Sequence, residues 1–283
     1  MKIKICADST CDLSPELVEQ YDIAILPLYI VKDGVSYADG LEISPQDIYD
    51  HVSAGGAMCS TAAVSVADYE AFFTEQLKHC DALIHFHISS EMSSCYQNAC
   101  IAAENLPNVF PVDSRNLSTG IGLLVIAAAE MAAEGMAARD IAEKLNEMRL
   151  RLDVSFVLQT LEYLHKGGRC SGVAALGANL LKLRPEIVVS NEGTMSVGRK
   201  YRGNMEKTVL DYIRGRLEGN DNVVPGRIMI THTDMPQEIV DKAYDLVKSL
   251  HPFKEICVTS AGSTIGSHCG PACIGVLFFR KQA

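Results

Sequence analysis

Between Ala82 and Leu106 the chain reads ALIHFHISSEMSSCYQNACIAAENL, an apolar strand that runs into a serine-rich turn and then into an amphipathic helix. That order builds an anion pocket. A helix leaves its first N–H groups unpaired and carries partial positive charge at its N-terminus, so hydroxyls placed there complete a cage for a carboxylate or phosphate. Ser94 with Gln97 three residues on reads as a capping box, which leaves Ser93 free for a ligand. The Ser93 hydroxyl, with Thr61 and a nearby backbone N–H, can hold a carboxylate through charge-assisted hydrogen bonds, roughly twice as strong as neutral ones. His268, in SHCGPACIG, is placed in a Gly/Pro loop after a strand, where it can share a hydrogen bond or a proton with the anion. Arg169, after a Gly-Gly pair, and Arg202, in GRKYRGN, are the other candidates. The serine cluster holds no lysine and the chain has no Walker pattern, which argues against a nucleoside triphosphate.

Each of these residues also has a plainer reading. Asp8-Ser9-Thr10, Asp113-Ser114 and the serines are the types that cap helices and close turns. A lone histidine is more often structural, and either arginine can be a solvated surface charge. A catalytic reading is open as well, with Ser93 as nucleophile and His268 as base of an acyl hydrolase or transferase. It lacks an evident acid partner for His268, and the strand-to-helix turn lacks GxSxG. His268 beside Cys269 and Cys273 raises a metal reading, but the ten cysteines include no CxxC, and their spacings are loose for zinc. Most cysteines are expected to be buried reduced thiols.

The elements that must position these groups follow an α/β pattern. IKICAD, AILPLYIV, ALIHFHI and NVFPVD read as strands separated by helical stretches, the order of a parallel sheet. Ser14-Pro15, Ser44-Pro45 with Asp47, and Ser65 with Asp68 read as helix starts. Helix Ile121 to Glu134 is apolar on nearly every side and should lie between layers. In open α/β sheets ligands gather beyond the carboxyl ends of the strands, where the Asp8, Ser89 to Ser94 and Asp113 clusters fall. After Leu152 the texture changes. A long segment, SFVLQTLEYLHKGGRCSGVAALGANLLKLRPEIVV, precedes a hairpin at Asn-Glu-Gly, then strand GRIMITH, helix PQEIVDKAYDLVKSL and strands KEICVTS and CIGVLFFRK. This predicts two domains, a mainly parallel α/β/α unit over 1–152 and an α+β unit with a mixed or antiparallel sheet over 153–283, with a ligand cleft between them.

A chain of 283 residues, 48 % apolar, can build two cores. Its net charge of −10 and the lack of a basic run argue against nucleic acid, which attracts clustered cations. The start MKIKICADST has no signal-peptide core, and the apolar run Gly120 to Ala129 is too short to span a bilayer, so a soluble cytoplasmic protein is expected.

Taken in order, Asp8-Ser9-Thr10 with Asp12-Leu13, Thr61, SSEMSSCYQNA at 89–99, VDS at 112–114, LEYLHKGGR at 161–169 and HCGP at 268–271 resemble the DegV family over nearly the whole chain. The resemblance implies a two-domain bacterial carrier of one long-chain fatty acid, such as palmitate or stearate, with no cofactor. It implies presentation of that acid to a separate fatty-acid kinase of the dihydroxyacetone-kinase type, which makes an acyl-phosphate. Thr61 and Ser93 would bind the carboxylate, helped by the N–H of Ser94, with His268 close by. Arg169 and Arg202 would lie on or near the kinase-facing surface. The helices around Leu158 to Leu183 and Ile121 to Ala129 would line the acyl tunnel. The chain departs from the family pattern at Ala62-Ala63-Val64, Ser94-Cys95 and Ala272. A purely regulatory interaction protein with no cleft is the third class of reading.

Overall fold

The structure, a computed structural model, describes residues 1–174 and 184–282. Strands β1 (Ile3–Asp8), β2 (Ala24–Leu26), β6 (Ala82–His87) and β7 (Val109–Asp113) form a parallel sheet in the order β2-β1-β6-β7; the strands numbered between them are β3 (Tyr29–Lys32), β4 (Val35–Ala38) and β5 (Ser60–Ala62). All six residues of β6 are buried, as befits a strand covered on both faces. The anticipated caps are present: Ser14, Ser44 and Ser65 each accept a backbone N–H three residues on, and Ser44 with Asp47 closes a full capping box.

The segment AILPLYIV is not one strand. Pro27 has no N–H to continue the ladder, and the chain leaves the parallel sheet there. It resumes as β3 in a separate antiparallel sheet of order β4-β3-β5. Asp33 and Gly34, with φ of 52° and 80°, join β3 to β4 in a two-residue turn whose central residues both have positive φ. The Asp-Gly pair between apolar runs is the signal for this hairpin. The small sheet matters because β5 carries Thr61, paired with Ile30 of β3.

From Leu152 onward the strands are β8 (Leu152–Val157), β9 (Arg184–Val189), β10 (Met195–Tyr201), β11 (Val223–Thr233), β12 (Glu255–Ser260) and β13 (Cys273–Arg280). They form one mixed sheet, β10-β9-β8-β13-β11-β12, in which only β11 and β12 run parallel. The Asn-Glu-Gly turn closes the β9–β10 hairpin, with Gly193 at φ 85° packed against the Ser89 hydroxyl, which donates to its carbonyl at 2.8 Å. Helices Met205–Leu217 and Gln237–Leu250 cover one face. The other face shares a continuous core with the parallel sheet, and helix Thr119–Ala133 is buried in that core.

Leu124 is fully enclosed there, whereas Ile101 is 52 % exposed. Leu124→Ala should therefore cost about 2–5 kcal/mol of unfolding free energy in a urea titration. Ile101→Ala should stay within about 0.5 kcal/mol of the parent.

Candidate functional site

One cavity of about 150 Å³ lies where the three sheets approach one another. From the first half of the chain it is lined by Leu28, Thr61, Ala62, Ala63, Met92, Ser93 and Ser94, and from the second by Phe156, Leu164, Arg169, Met195, Thr264, Ile265 and His268, among others. A smaller cavity of about 20 Å³ shares Leu117, Phe156, Ile265 and Cys269 with it and runs on toward Thr231 and Leu277. Thr61, Ser93, Ser94, His268 and Arg169 thus surround a single space, while Arg202 follows β10 on the surface and does not line it.

The turn after β6 is built by local hydrogen bonds. The N–H groups of Met92 and Ser93 both donate to the Ser89 carbonyl, at 2.9 and 3.1 Å. Helix Cys95–Ala103 then starts without the expected capping box, because Ser94 has φ −81° and ψ 3° and its side chain makes no capping bond. Ser93 supplies the turn contacts instead: its Oγ accepts from the Cys95 N–H at 3.3 Å and donates to Cys95 Sγ at 3.2 Å. The physical reason is that a near-helical Ser94 backbone points its side chain outward, whereas a capping residue needs extended φ/ψ. The Ser94 N–H has no partner among the described residues, and Ser94, which is exposed, lines the cavity. Asn98 Nδ2 donates to the Val64 carbonyl at 2.7 Å, pinning the strand that follows Thr61 against this helix.

His268 lies in the last turn of helix Ser263–Cys269 and not in a loop; the Gly/Pro segment begins only at Gly270. Its Nε2 is 3.0 Å from Thr61 Oγ1, and its Nδ1 is buried without a partner among the described residues. Burial, with a smaller push from the Arg169 guanidinium, lowers its pKa to about 4, so the ring is neutral at physiological pH. Gly167 makes room for the ring, since a Cβ there would stand 2.2 Å from His268 Nδ1. The next residue, Gly168 at φ 69°, ends helix Glu162–Gly167 in the left-handed conformation. Arg169 then turns back, donating to the Gly167 carbonyl at 2.7 Å and to the Met92 carbonyl at 3.5 Å. It is the only charged side chain lining the cavity among the described residues.

Other sequence candidates have different roles. Asp8 is fully buried and binds the Thr10 N–H and hydroxyl and the Ile88 N–H; Asp113 binds Ser90 and the Arg115 side chain. These carboxylates tie strand ends together and do not reach the cavity. Among the described residues Ser93 is not hydrogen-bonded to His268 and no carboxylate contacts the imidazole, so the parts of a nucleophile–base–acid array are not assembled there. Among the described residues no three His, Cys, Asp or Glu side chains gather as metal ligands. Cys269 and Cys273 are buried beside the smaller cavity. Helix Thr119–Ala133 contributes none of its residues to either cavity; its approach, Leu117 and Ser118, does so instead, because the helix body fills the space between the sheets. Of the stretch from Leu158 to Leu183, Leu164 and Arg169 line the site, and residues 175–183 lie outside the described residues. Gly167, Thr264 and Met195 were not singled out from sequence; only the Gly-Gly pair carried a local signal.

The profile of the family described as "Uncharacterised protein, DegV family" matches residues 2–281. The chain belongs to the DegV family. A DegV domain-containing protein of Caldanaerobacter subterraneus subsp. tengcongensis is 31 % identical over 284 residues, 99 % of each chain. Among solved structures, a DegV family protein from Thermus thermophilus, described as binding fatty acid, superposes with a TM-score of 0.89 at 30 % identity, covering 99 % of this chain and 100 % of that one. A Thermotoga maritima protein described as revealing fatty acid binding function gives 0.85 at 27 % identity, covering 99 % of each. The two-domain α/β architecture is therefore that of the DegV family. Among the described residues no helix is long and apolar enough to cross a membrane.

Buried titrating groups near the DegV cavity give stability a defined pH profile. Burial raises the Asp12 pKa to about 8 against the hydrogen bonds from Gly262 and Ser118, so its contribution is complete below about pH 4 and is lost as pH rises through 8. His268 and His87, each lowered to about 4 by burial, act oppositely: the unfolded chain takes up their protons as pH falls below about 6.5. Thermal melts from pH 5 to 9 should show a maximum near pH 6 to 7. Asp12→Asn should flatten the alkaline limb, worth up to about 1.4 kcal/mol per pH unit, and leave the acid limb in place.

Proposed function

We propose that this protein binds one long-chain fatty acid, with the carboxylate at Thr61, Ser93 and the Ser94 N–H and the acyl chain in the apolar cavity between the two halves of the chain, 1–152 and 153–283. The observation that carries the reading is the lining itself, which combines the hydroxyl residues Thr61, Ser93 and Ser94 and one arginine with Leu28, Met92, Leu117, Phe156, Leu164, Met195 and Ile265. The fatty-acid binding described for the Thermus and Thermotoga proteins, which share this fold over their whole length, supports it.

A neutral His268 suits the role. With Nε2–H donating to Thr61 Oγ1, the threonine proton is free for the carboxylate, and the orphan Nδ1 is then an acceptor, not a buried unpaired donor. Arg169 at the rim supplies the compensating charge. Apolar burial supplies the affinity: about fifteen methylene and methyl groups at roughly 0.8 kcal/mol each give about 12 kcal/mol gross, from which association costs several. A cavity of about 150 Å³ is of the size that takes a benzene-sized ligand, so it holds the head and first carbons, and burial of the whole chain requires the apolar walls around Phe156, Ile265 and the second cavity of about 20 Å³ to part. The polar contacts then decide which end faces outward. An outward carboxylate at exposed Ser94 and Arg169 fits delivery to a fatty-acid kinase of the dihydroxyacetone-kinase type in the cytoplasm, with Arg202 on the docking surface. No catalytic role is assigned to Ser93: its hydroxyl meets Cys95 and not His268, and its one proton turns from the Cys95 sulfur to the carboxylate when the acid binds.

Denaturing the purified protein, extracting it and identifying released lipid by mass spectrometry should yield about one equivalent of a long-chain fatty acid. Thr61→Ala with Ser93→Ala removes two charge-assisted hydrogen bonds, each worth about 1.5–3 kcal/mol, and should weaken binding by on the order of 100-fold or more. Unchanged lipid occupancy in that double variant would sink the assigned site. Acyl-ester hydrolysis that vanishes in Ser93→Ala would support the enzyme reading instead.

A further inference from the structure

We propose that Asp39 is a positioning residue of the ligand site, holding the start of helix Ser263–Cys269 so that His268 meets Thr61. Asp39 directly follows β4 and is 4 % exposed. Its Oδ1 accepts the Ser263 N–H at 2.7 Å, and its Oδ2 accepts the Thr264 N–H at 3.1 Å, the Thr264 hydroxyl at 2.7 Å and the Ser9 hydroxyl at 2.9 Å. Asp12 takes the neighbouring Gly262 N–H at 2.8 Å. Three successive N–H groups at this helix start are therefore received by aspartate side-chain oxygens more than 220 residues away in sequence. The helix has no side-chain cap of its own.

This arrangement matters because both ends of the link belong to the site. On one side β4 pairs with β3 and β3 with β5, so the backbone that presents Asp39 also sets the position of Thr61. On the other side His268 is four residues beyond Thr264, about one helical turn. A helix of seven residues has little stability of its own and takes its register from what holds its ends. A register slip of one residue turns its side chains by about 100° and would carry the imidazole away from Thr61. Asp8, equally buried, binds only its own strand-end neighbours, so burial of an aspartate is not what distinguishes Asp39.

The test uses the full-length protein and two readouts. The first needs no ligand: the His268 imidazole is followed by proton–nitrogen correlation spectra across pH. Charges facing the ring are few, with Arg169 the one that shifts it. Asp39→Asn preserves volume but turns an amide N–H toward donors. If the helix start moves, the ring leaves its enclosure and its midpoint rises by at least one unit toward 6.5. Removing an anion without movement would lower the midpoint or leave it unchanged, so the sign separates the two. Ser14→Ala, which removes the cap of the remote helix Pro15–Gln20, serves as a control for general destabilisation and should leave His268 unmoved.

The second readout rests on the fatty-acid reading. Asp39→Asn should weaken palmitate binding at least tenfold, but less than twofold when His268 is already alanine, because the two act through one contact. Equal losses in both backgrounds, with an unmoved His268 midpoint, would overturn the proposal and leave Asp39 a residue of the fold alone. If Asp39→Asn does not fold, Ser9→Ala, which removes one donor to the same carboxylate, must raise the midpoint in the same sense, and an unmoved midpoint overturns the proposal. A wild-type chain that binds no palmitate would defeat the fatty-acid reading, while the spectroscopic arm still decides the role of Asp39.

Discussion

A single hydrogen bond, between His268 and Thr61 at 3.0 Å, closes a loop of 207 residues and marks where three sheets meet. Thr61 reaches it from a short strand of the small antiparallel sheet, and His268 from the last turn of a seven-residue helix beyond the mixed sheet. The Ser93 turn arrives from the carboxyl end of the parallel sheet. None of these elements is long enough to be stable alone, so the bond depends on the packing of all three. The molecule places its least self-sufficient elements at the site and spends its best-packed helix, Thr119–Ala133, on holding the sheets together.

The polar groups around the cavity follow from the cost of burial. A charged imidazole would need a partner that the site does not provide, so burial leaves the ring neutral and able to hydrogen-bond without adding charge. Arg169, at the exposed rim, keeps its hydration and remains the local cation. On the proposed reading, such a site takes an anionic head near solvent and an apolar body inside. Buried aspartates are kept away from the cavity by backbone N–H groups and hydroxyls that satisfy their oxygens.

Much of the fold was legible because its signals are local. The Ser44 and Asp47 capping box, the buried run of β6 and the Asn-Glu-Gly hairpin each depend on a few adjacent residues. Local signals mislead where longer-range packing overrides them. AILPLYIV has the composition of one strand, but Pro27 divides it between two sheets, and Asp33-Gly34 turns the chain into the hairpin that follows. Ser94 and Gln97 have the spacing of a capping box, yet the preceding turn gives Ser94 a near-helical backbone and passes the turn contacts to Ser93. His268 looked like a loop residue because Gly270 and Pro271 follow closely, and seven residues of helix leave almost no periodic signal.

Sequence alone therefore determined the class of the fold, most strands of the parallel and mixed sheets, most helix starts and the presence of hydroxyls and a helix N-terminus after β6, since backbone propensity and capping act over a few residues. It also carried the ordered motifs by which the chain belongs to the DegV family. Only the tertiary structure decided that Thr61 pairs with His268, that the imidazole is neutral, that Asp39 and Asp12 receive the helix start, and that helix Thr119–Ala133 stays out of the cavity. Those outcomes depend on which groups lose water together and on contacts between residues hundreds of positions apart, and neither is encoded in any short stretch of chain.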